Sequence, residues 1–262
     1  MKTRTILDIA ILTAGRSDLF AKCVESVLRQ MEPEYKIYVH NNGHPSKEYE
    51  EIYKHLPEGS KIIRSNQMSG FSDGANKVIN AGQAPLVLFI TDDVFIGDGV
   101  IPSLLSRMED RSIGQCGYKL VFPPDSNDPT RPAGKVQHIG MASSIRGDMI
   151  HPLIGWDASN PKCNISREVL AVTGASFMIR RDVFKRVRGF DTAYGKGYYE
   201  DMDLSFKVRT SGYRVFIDTS AVAIHAVGQT FKDEKEIPFQ QNQQIFKMRW
   251  APYMPWSEWE MW

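Results

Sequence analysis

Over its first third the chain alternates short apolar runs with segments of helical period, and this alternation restricts the fold more than any other feature. Ile6–Thr13 is an apolar run of strand length. Asp18–Gln30 then sets Leu19, Cys23, Val27 and Leu28 on one side, the period of a crossover helix packed on a sheet. Further strands are predicted at Tyr35–His40, Lys61–Arg64 and Leu86–Thr91, with helices at Glu48–His55 and Phe71–Ala81. Leu86–Thr91 is the most apolar strand and belongs at the sheet centre. The pattern implies an α/β fold: a mostly parallel, doubly wound sheet with helices on both faces, in which ligands lie beyond the carboxyl ends of the strands.

From Pro123 to Pro161 the pattern breaks. Pro123, Pro124, Pro129, Pro132, Pro152 and Pro161 punctuate Gly- and Asp-rich sequence, which predicts loops and short irregular strands. A long insert on a rigid sheet usually carries function. After Val169 a strand through Ile179, a short helix at Arg181–Val187, a helix at Glu200–Ser211 and a strand at Tyr213–Asp218 are expected. We divide the 262 residues into a domain over 1–236, with halves at about 1–98 and 99–236 and a loop-rich insert at 123–168, and an aromatic tail over 237–262.

Lysine plus arginine number 32 against 31 aspartate plus glutamate, so bulk charge gives no basis for a nucleic-acid partner. Cys23, Cys116 and Cys163 are odd in number and far apart, which argues against a disulfide framework or a structural zinc site and for a reducing compartment. The first apolar run is too short for a signal peptide, and no window approaches the roughly 20 apolar residues of a membrane helix. A soluble, cytoplasmic protein is expected, with peripheral contact to a membrane as the variant. The tail rings Trp250, Trp256, Trp259 and Trp262 are read as docking on the domain, forming a homo-oligomer contact or touching a membrane surface. The lack of Lys and Arg after Arg249 disfavours the last.

Polar residues collect at predicted strand ends. In Thr13-Ala14-Gly15-Arg16 the glycine lets backbone amides approach a nucleotide, and the arginine can pair with a diphosphate. Asn41 offers a donor and an acceptor to a base, or simply forms a turn with Asn42-Gly43. Gly70 and Gly74 flank a helix start that favours phosphates, although a capped helix entry looks the same. Asp92-Asp93 closes the central strand, where two adjacent carboxylates need a cation or hydrogen bonds to replace lost water. Their bland alternative is a cap for a helix at Val100–Met108. The stretch Thr173–His225 places Glu200-Asp201 at the mouth of a helix and His225 past the following strand, the parts of an acid/base and metal site.

The order and spacing of these segments resemble the family 2 glycosyltransferases, inverting nucleotide-sugar enzymes of the GT-A fold, over roughly residues 5–230. Thr91-Asp92-Asp93 is similar to the family's DxD-type motif, Asn66–Asn76 to its Asn-x-Gly-Phe-x-x-x-Asn segment, and Glu200-Asp201 to its Glu-Asp motif. Gln137-His138-Ile139-Gly140 and His151-Pro152 resemble a Gln-His-x-Gly segment of a subset. The chain departs from the pattern at His40, where an aspartate that reads the base is typical. It also departs at Phe246, where the Gln-x-x-Arg-Trp of processive synthases has its glutamine, so a single-addition, rhamnosyltransferase-like subgroup is the better match.

The resemblance implies roles. Thr13, Arg16, Asn41, Gly70, Asp73, Asn76 and Asp92 fall to the donor nucleotide, and Asp93 with His225 to a divalent cation, Mn²⁺ or Mg²⁺. Asp201 falls to the general base with Glu200 beside it, and His138, His151, Trp156, Gly174, Ala175 and Ser176 to the sugar and acceptor side. The implied partners are a nucleotide-diphosphate sugar donor and a glycan or other hydroxyl-bearing acceptor. Two other readings stay open: a nucleotidyltransferase that releases pyrophosphate from a nucleoside triphosphate, and a non-catalytic sugar-nucleotide or glycan-binding module.

Overall fold

The structure, a computed structural model, describes residues 5–144, 147–226 and 238–254. The first half runs β1 (Leu7–Thr13), α1 (Ser17–Leu28), β2 (Tyr35–Asn42), α2 (Lys47–Tyr53), β3 (Lys61–Ser65), α3 (Phe71–Asn80) and β4 (Leu86–Thr91). Then come β5 (Val94–Ile96), α4 (Val100–Arg107) and β6 (Ile113–Val121), followed by the short insert strands β7 (Val136–His138), β8 (Ala142–Ser143) and β9 (Met149–Ile150). The chain closes with β10 (Arg167–Glu168), β11 (Ser176–Arg180), α5 (Arg181–Arg186), α6 (Glu200–Thr210), β12 (Arg214–His225) and α7 (Phe239–Trp250).

Among the described residues ten strands form one sheet in the order β10-β12-β6-β11-β4-β1-β2-β3, with β5 on β12 and β7 on β6. Strands β4, β1, β2 and β3 are parallel, as strand–helix alternation requires. The second half is mixed: β6 and β12 are parallel, while β11 runs antiparallel to both its neighbours, β4 and β6. That reversal sets the start of β11 beside the end of β4, the geometry on which the site depends. Strand β6 is not evident from the sequence, because Gly114, Gln115, Gly117 and Lys119 interrupt its apolar run although all nine of its residues are buried.

Alternate residues of β1 feed opposite faces of the sheet. Ile9 and Ile11 pack with Phe20, Val24 and Val27 of α1 and with Ile101 and Leu104 of α4. Ala10 and Leu12 join Ala75, Val78 and Ile79 of α3, Phe184 of α5 and Leu204 of α6. The insert has a small core of its own from Val136, Ile139, Leu153 and Cys163.

The described part of the tail does not stand apart. Phe246 of α7 is buried against Tyr199 and Phe206, and Trp250 packs on Phe206 with the rings tilted at 45°. Trp250 is thus spent on its own chain, whereas Trp256, Trp259 and Trp262 lie outside the described residues. All three cysteines are buried and free. No helix among the described residues is long and apolar enough to cross a membrane.

Candidate active site

The carboxyl end of β4 delivers Thr91-Asp92-Asp93 to a cleft of about 350 Å³. Both aspartates are buried, so each needs substitutes for lost water. Asp92 Oδ2 accepts the Thr13 hydroxyl at 2.6 Å and the Ala14 amide at 3.0 Å, both from the end of β1. Even so, burial and the adjacent Asp93 charge push the Asp92 carboxyl up to about 7. Asp93 Oδ1 accepts the Thr91 hydroxyl at 2.7 Å, and its Oδ2 lies 3.4 Å from His225 Nε2. Burial works to raise this carboxyl too, but the His225 imidazole and the Thr91 hydroxyl outweigh it and hold Asp93 below its usual range.

His225 Nδ1 faces Gln137 Oε1 at 3.0 Å. That acceptor places a proton on Nδ1 and makes Nε2 the nitrogen turned to Asp93. An imidazole nitrogen and a carboxylate oxygen that converge this closely in a buried site fit a hard divalent ion as two of its ligands when Nε2 is unprotonated, with Gln137 orienting the ring. Among the described residues no group of three or more His, Cys, Asp or Glu side chains is arranged to hold a metal, so the other ligands would be oxygens of a bound molecule or water.

The facing wall is the start of α6. Tyr198 and Tyr199 both have left-handed backbone, φ 70° and 74°, which turns the chain sharply into the helix. Asp201 lines the cleft, where its Oδ2 accepts the Gly174 amide at 2.9 Å and its Oδ1 the Met202 amide at 2.8 Å. Burial raises the Asp201 carboxyl against the pull of those two amides. Burial, then the charge of Asp201, raises the neighbouring Glu200 well above the usual carboxylate range, and one Glu200 oxygen has no hydrogen-bond partner among the described residues. Two adjacent carboxyls in this setting do not both ionise readily.

Residues 173–175 join the two acidic clusters. Thr91 donates its amide to the Ala175 carbonyl at 2.9 Å, and its hydroxyl, whose proton is shared with the closer Asp93, lies 3.1 Å from the same carbonyl, while the adjacent Gly174 amide holds Asp201. A side chain at Gly174 would sit 3.1 Å from the Asp201 Cβ and 3.3 Å from the Phe71 ring. Glycine is therefore the residue that admits this approach.

Asp92, Asp93, His151, Gly174, Ala175, Glu200, Asp201 and His225 converge on the cleft. Others expected there do not face it. Thr13 is buried behind Asp92, and Arg16 pairs with Asp18 at 2.8 Å. Asn41 bonds His44 and Tyr53 on the α2 side of the sheet. Gly70 packs against the Gly195 carbonyl, inside the space a side chain needs. Asp73 pairs with Lys77 on the outer surface of α3, and Asn76 clamps both the amide and the carbonyl of Phe190. His138 is buried behind His151, Ser176 is buried between Tyr118 and the Phe89 carbonyl, and Trp156 is exposed outside the cleft. His40 lies buried between the Gly74 carbonyl and Ser65.

The cleft also holds Gln137 of the Gln-His-x-Gly segment, and residues given no role in the sequence reading: Asn42, Arg131, Lys196 and Tyr198. Strand parity was the available signal for Asn42. Its side chain points opposite to that of Asn41, toward α3, where it exchanges hydrogen bonds with Ser69.

An α/β frame of this kind, with its acidic strand end and helix mouth in one cleft, is that of the GT-A glycosyltransferases. A structure of GalNAc-T7 with UDP, GalNAc and Mn²⁺ superposes with TM-score 0.71 at 15% identity, over 99% of this chain and 50% of that one. The mannosyltransferase PcManGT of Pyrobaculum calidifontis, in complex with GDP-Man and Mn²⁺, gives 0.61 at 14% identity, over 86% and 58%. The model of glycosyl transferase family 2 matches residues 8–188, and the chain belongs to that family. Similar relatives are protein y4gI of Sinorhizobium fredii, 24% identical over 97% of this chain, and the O-antigen biosynthesis protein RfbC of Myxococcus xanthus, 25% identical over 95%. The chain spans 28% and 19% of the lengths of those two relatives.

Proposed function

We propose that this chain is a metal-dependent, inverting glycosyltransferase that moves one sugar from a nucleotide-diphosphate donor to an acceptor hydroxyl. The observation that carries this reading is the shared cleft, with Asp93 and His225 on one wall, Asp201 on the other and residues 173–175 between them. A bound Mn²⁺ or Mg²⁺ would be held by Asp93 and His225, and it supplies charge neutralisation to the leaving diphosphate. Asp92, anchored by Thr13 and Ala14, presents a polar edge to the nucleotide side of the cleft, together with Asn42 and Ser69. Asp201 takes the acceptor's proton as the new bond forms, in the manner of a general base. The Gly174 and Met202 amides fix its two oxygens, so the carboxylate is oriented before substrate arrives.

The same reading places the chain with the single-addition, rhamnosyltransferase-like enzymes. Phe246 at the position of the processive glutamine supports this, as does the likeness to RfbC, whose name puts it in O-antigen synthesis and so suggests a surface glycan as acceptor. The boundaries proposed above keep 1–236 as the transferase frame, with α7 as a brace upon it.

A melting series with UDP, GDP and dTDP sugars, with and without Mn²⁺, tests the proposal. At least one nucleotide sugar should raise the melting temperature only when Mn²⁺ is present, and Asp93→Ala should abolish that metal-dependent rise. A ligand that stabilises wild type and Asp93→Ala equally would remove Asp93 from the metal site.

A further inference from the structure

Behind the cleft wall formed by the insert, two histidines meet nitrogen to nitrogen. His138 Nδ1 lies 3.0 Å from His151 Nδ1, with the rings inclined at 70°. Only one of these nitrogens can carry the proton between them. The other side of His138 decides which, because its Nε2 receives the backbone amides of Gly140 and Thr173, each at 3.3 Å. Backbone amides only donate, so His138 Nε2 is bare and the proton sits on Nδ1. His138 Nδ1–H therefore donates to His151 Nδ1. In a neutral His151 the remaining proton must then lie on Nε2.

His151 lines the cleft in company with Asp93, Gln137 and His225, and its Nε2 has no protein partner among the described residues. Burial keeps both rings neutral: it lowers His138 well below the usual imidazole range and His151 to about 4, with His225 adding to both shifts. With its Nδ1 lone pair taken by His138, a neutral His151 offers the cleft a hydrogen bond from Nε2 and no acceptor.

We propose that His151 presents a fixed Nε2–H donor to an oxygen of the leaving diphosphate, and that His138 is the positioning residue that sets its tautomer. This rests on the transferase reading above. A phosphate oxygen carries lone pairs only and so complements a nitrogen that only donates toward the cleft, and His225, the partner of Asp93, lies near enough to perturb both His138 and His151. Protonating His151 on Nδ1 would oppose two N–H groups, which bars it from serving as a base through that nitrogen.

The test is two-bond ¹H–¹⁵N NMR of histidine-labelled wild-type protein at pH 7, with the signals assigned from His138→Gln and His151→Gln. Metal-free protein should show His138 as the Nδ1–H form and His151 as the Nε2–H form; a doubly protonated His151, or the opposite tautomer, overturns the proposal. Addition of UDP or GDP with Mg²⁺ should then move the His151 Nε2–H resonance. If calorimetry shows that the diphosphate binds while this resonance stays still, the donor role is wrong and the transferase reading survives. If the resonance moves only with the nucleotide sugar, the contact is a sugar hydroxyl, and the diphosphate assignment falls. If neither nucleotide nor nucleotide sugar binds with metal, the transferase reading itself fails, whatever the tautomers. In turnover, His151→Leu should lower kcat at least tenfold, and His151→Gln, which restores an N–H near Nε2, should recover most of the loss. Equal losses in the two variants contradict a hydrogen-bond donor.

Discussion

At the scale of single residues, Asp201 is the group whose chemistry is most exposed to test. Asp201→Asn keeps the shape of the side chain but removes its capacity to take a proton. Transfer should fall by about 10²- to 10⁴-fold, while donor affinity in calorimetry stays within about threefold. Transfer at the parental rate would take the base role from this residue. The carboxyl also predicts a pH profile. Because burial raises its pKa, the ionised form is lost as pH falls through a value above the ordinary aspartate figure of about 3.9. The acid limb of kcat should therefore lie above pH 4, and a limb centred lower contradicts the assignment. Asp92-Asp93 and Glu200-Asp201 were legible in the sequence because charge is hard to place at the buried end of a strand or helix without a task for it. Asp73 and Asn76 were not resolved so well. Their motif marks a segment that reaches the cleft at Met68, Ser69 and Phe71, but only the packed helix shows that Asp73 turns to Lys77 and Asn76 to Phe190.

Among the elements, α7 governs the sharp turn into α6. The buried Asn242 amide donates to the carbonyls of Tyr194, Gly197 and Tyr198, at 2.9, 2.8 and 3.2 Å, and so ties down the loop that precedes Glu200-Asp201. Two consecutive left-handed tyrosines are costly, about 1–3 kcal/mol each, and persist only where surroundings enforce them. Asn242→Ala should destabilise the protein by about 1–3 kcal/mol in urea and speed hydrogen exchange at residues 194–199. Unaltered protection of that loop would show that α7 merely covers it. Most elements of the first half could be read from the sequence, since period and apolar runs agree there. The run of β6 could not, because Gly, Gln and Lys occupy a strand buried on both faces, and Lys119 reaches Asn164 for its partner. The direction of β11 was equally hidden, since apolar pattern carries no information on polarity.

For the molecule as a whole, one buried ion pair fastens the two halves. Arg181, at the start of α5, reaches Asp8 of β1 at 2.6 Å and also donates to the Ile79 and Ala84 carbonyls, so it joins β1, α3 and the approach to β4. Asp8→Ala would leave a buried guanidinium unpaired and should cost about 3–5 kcal/mol in chemical denaturation. A loss under 1 kcal/mol would mean that water or a neighbour takes the carboxylate's place. The pairing of β4 with β11 bears on inheritance. These strands share five residue pairings although Asp93 and Gly174, at the cleft end of that seam, are far apart in the chain. A recombination event that joined residues 1–98 of one ancestor to the remainder of another would have to reproduce that register before either parent's chemistry returned. Descent should therefore have carried both stretches together, and chimeras cut between them should recover activity only when taken from close kin.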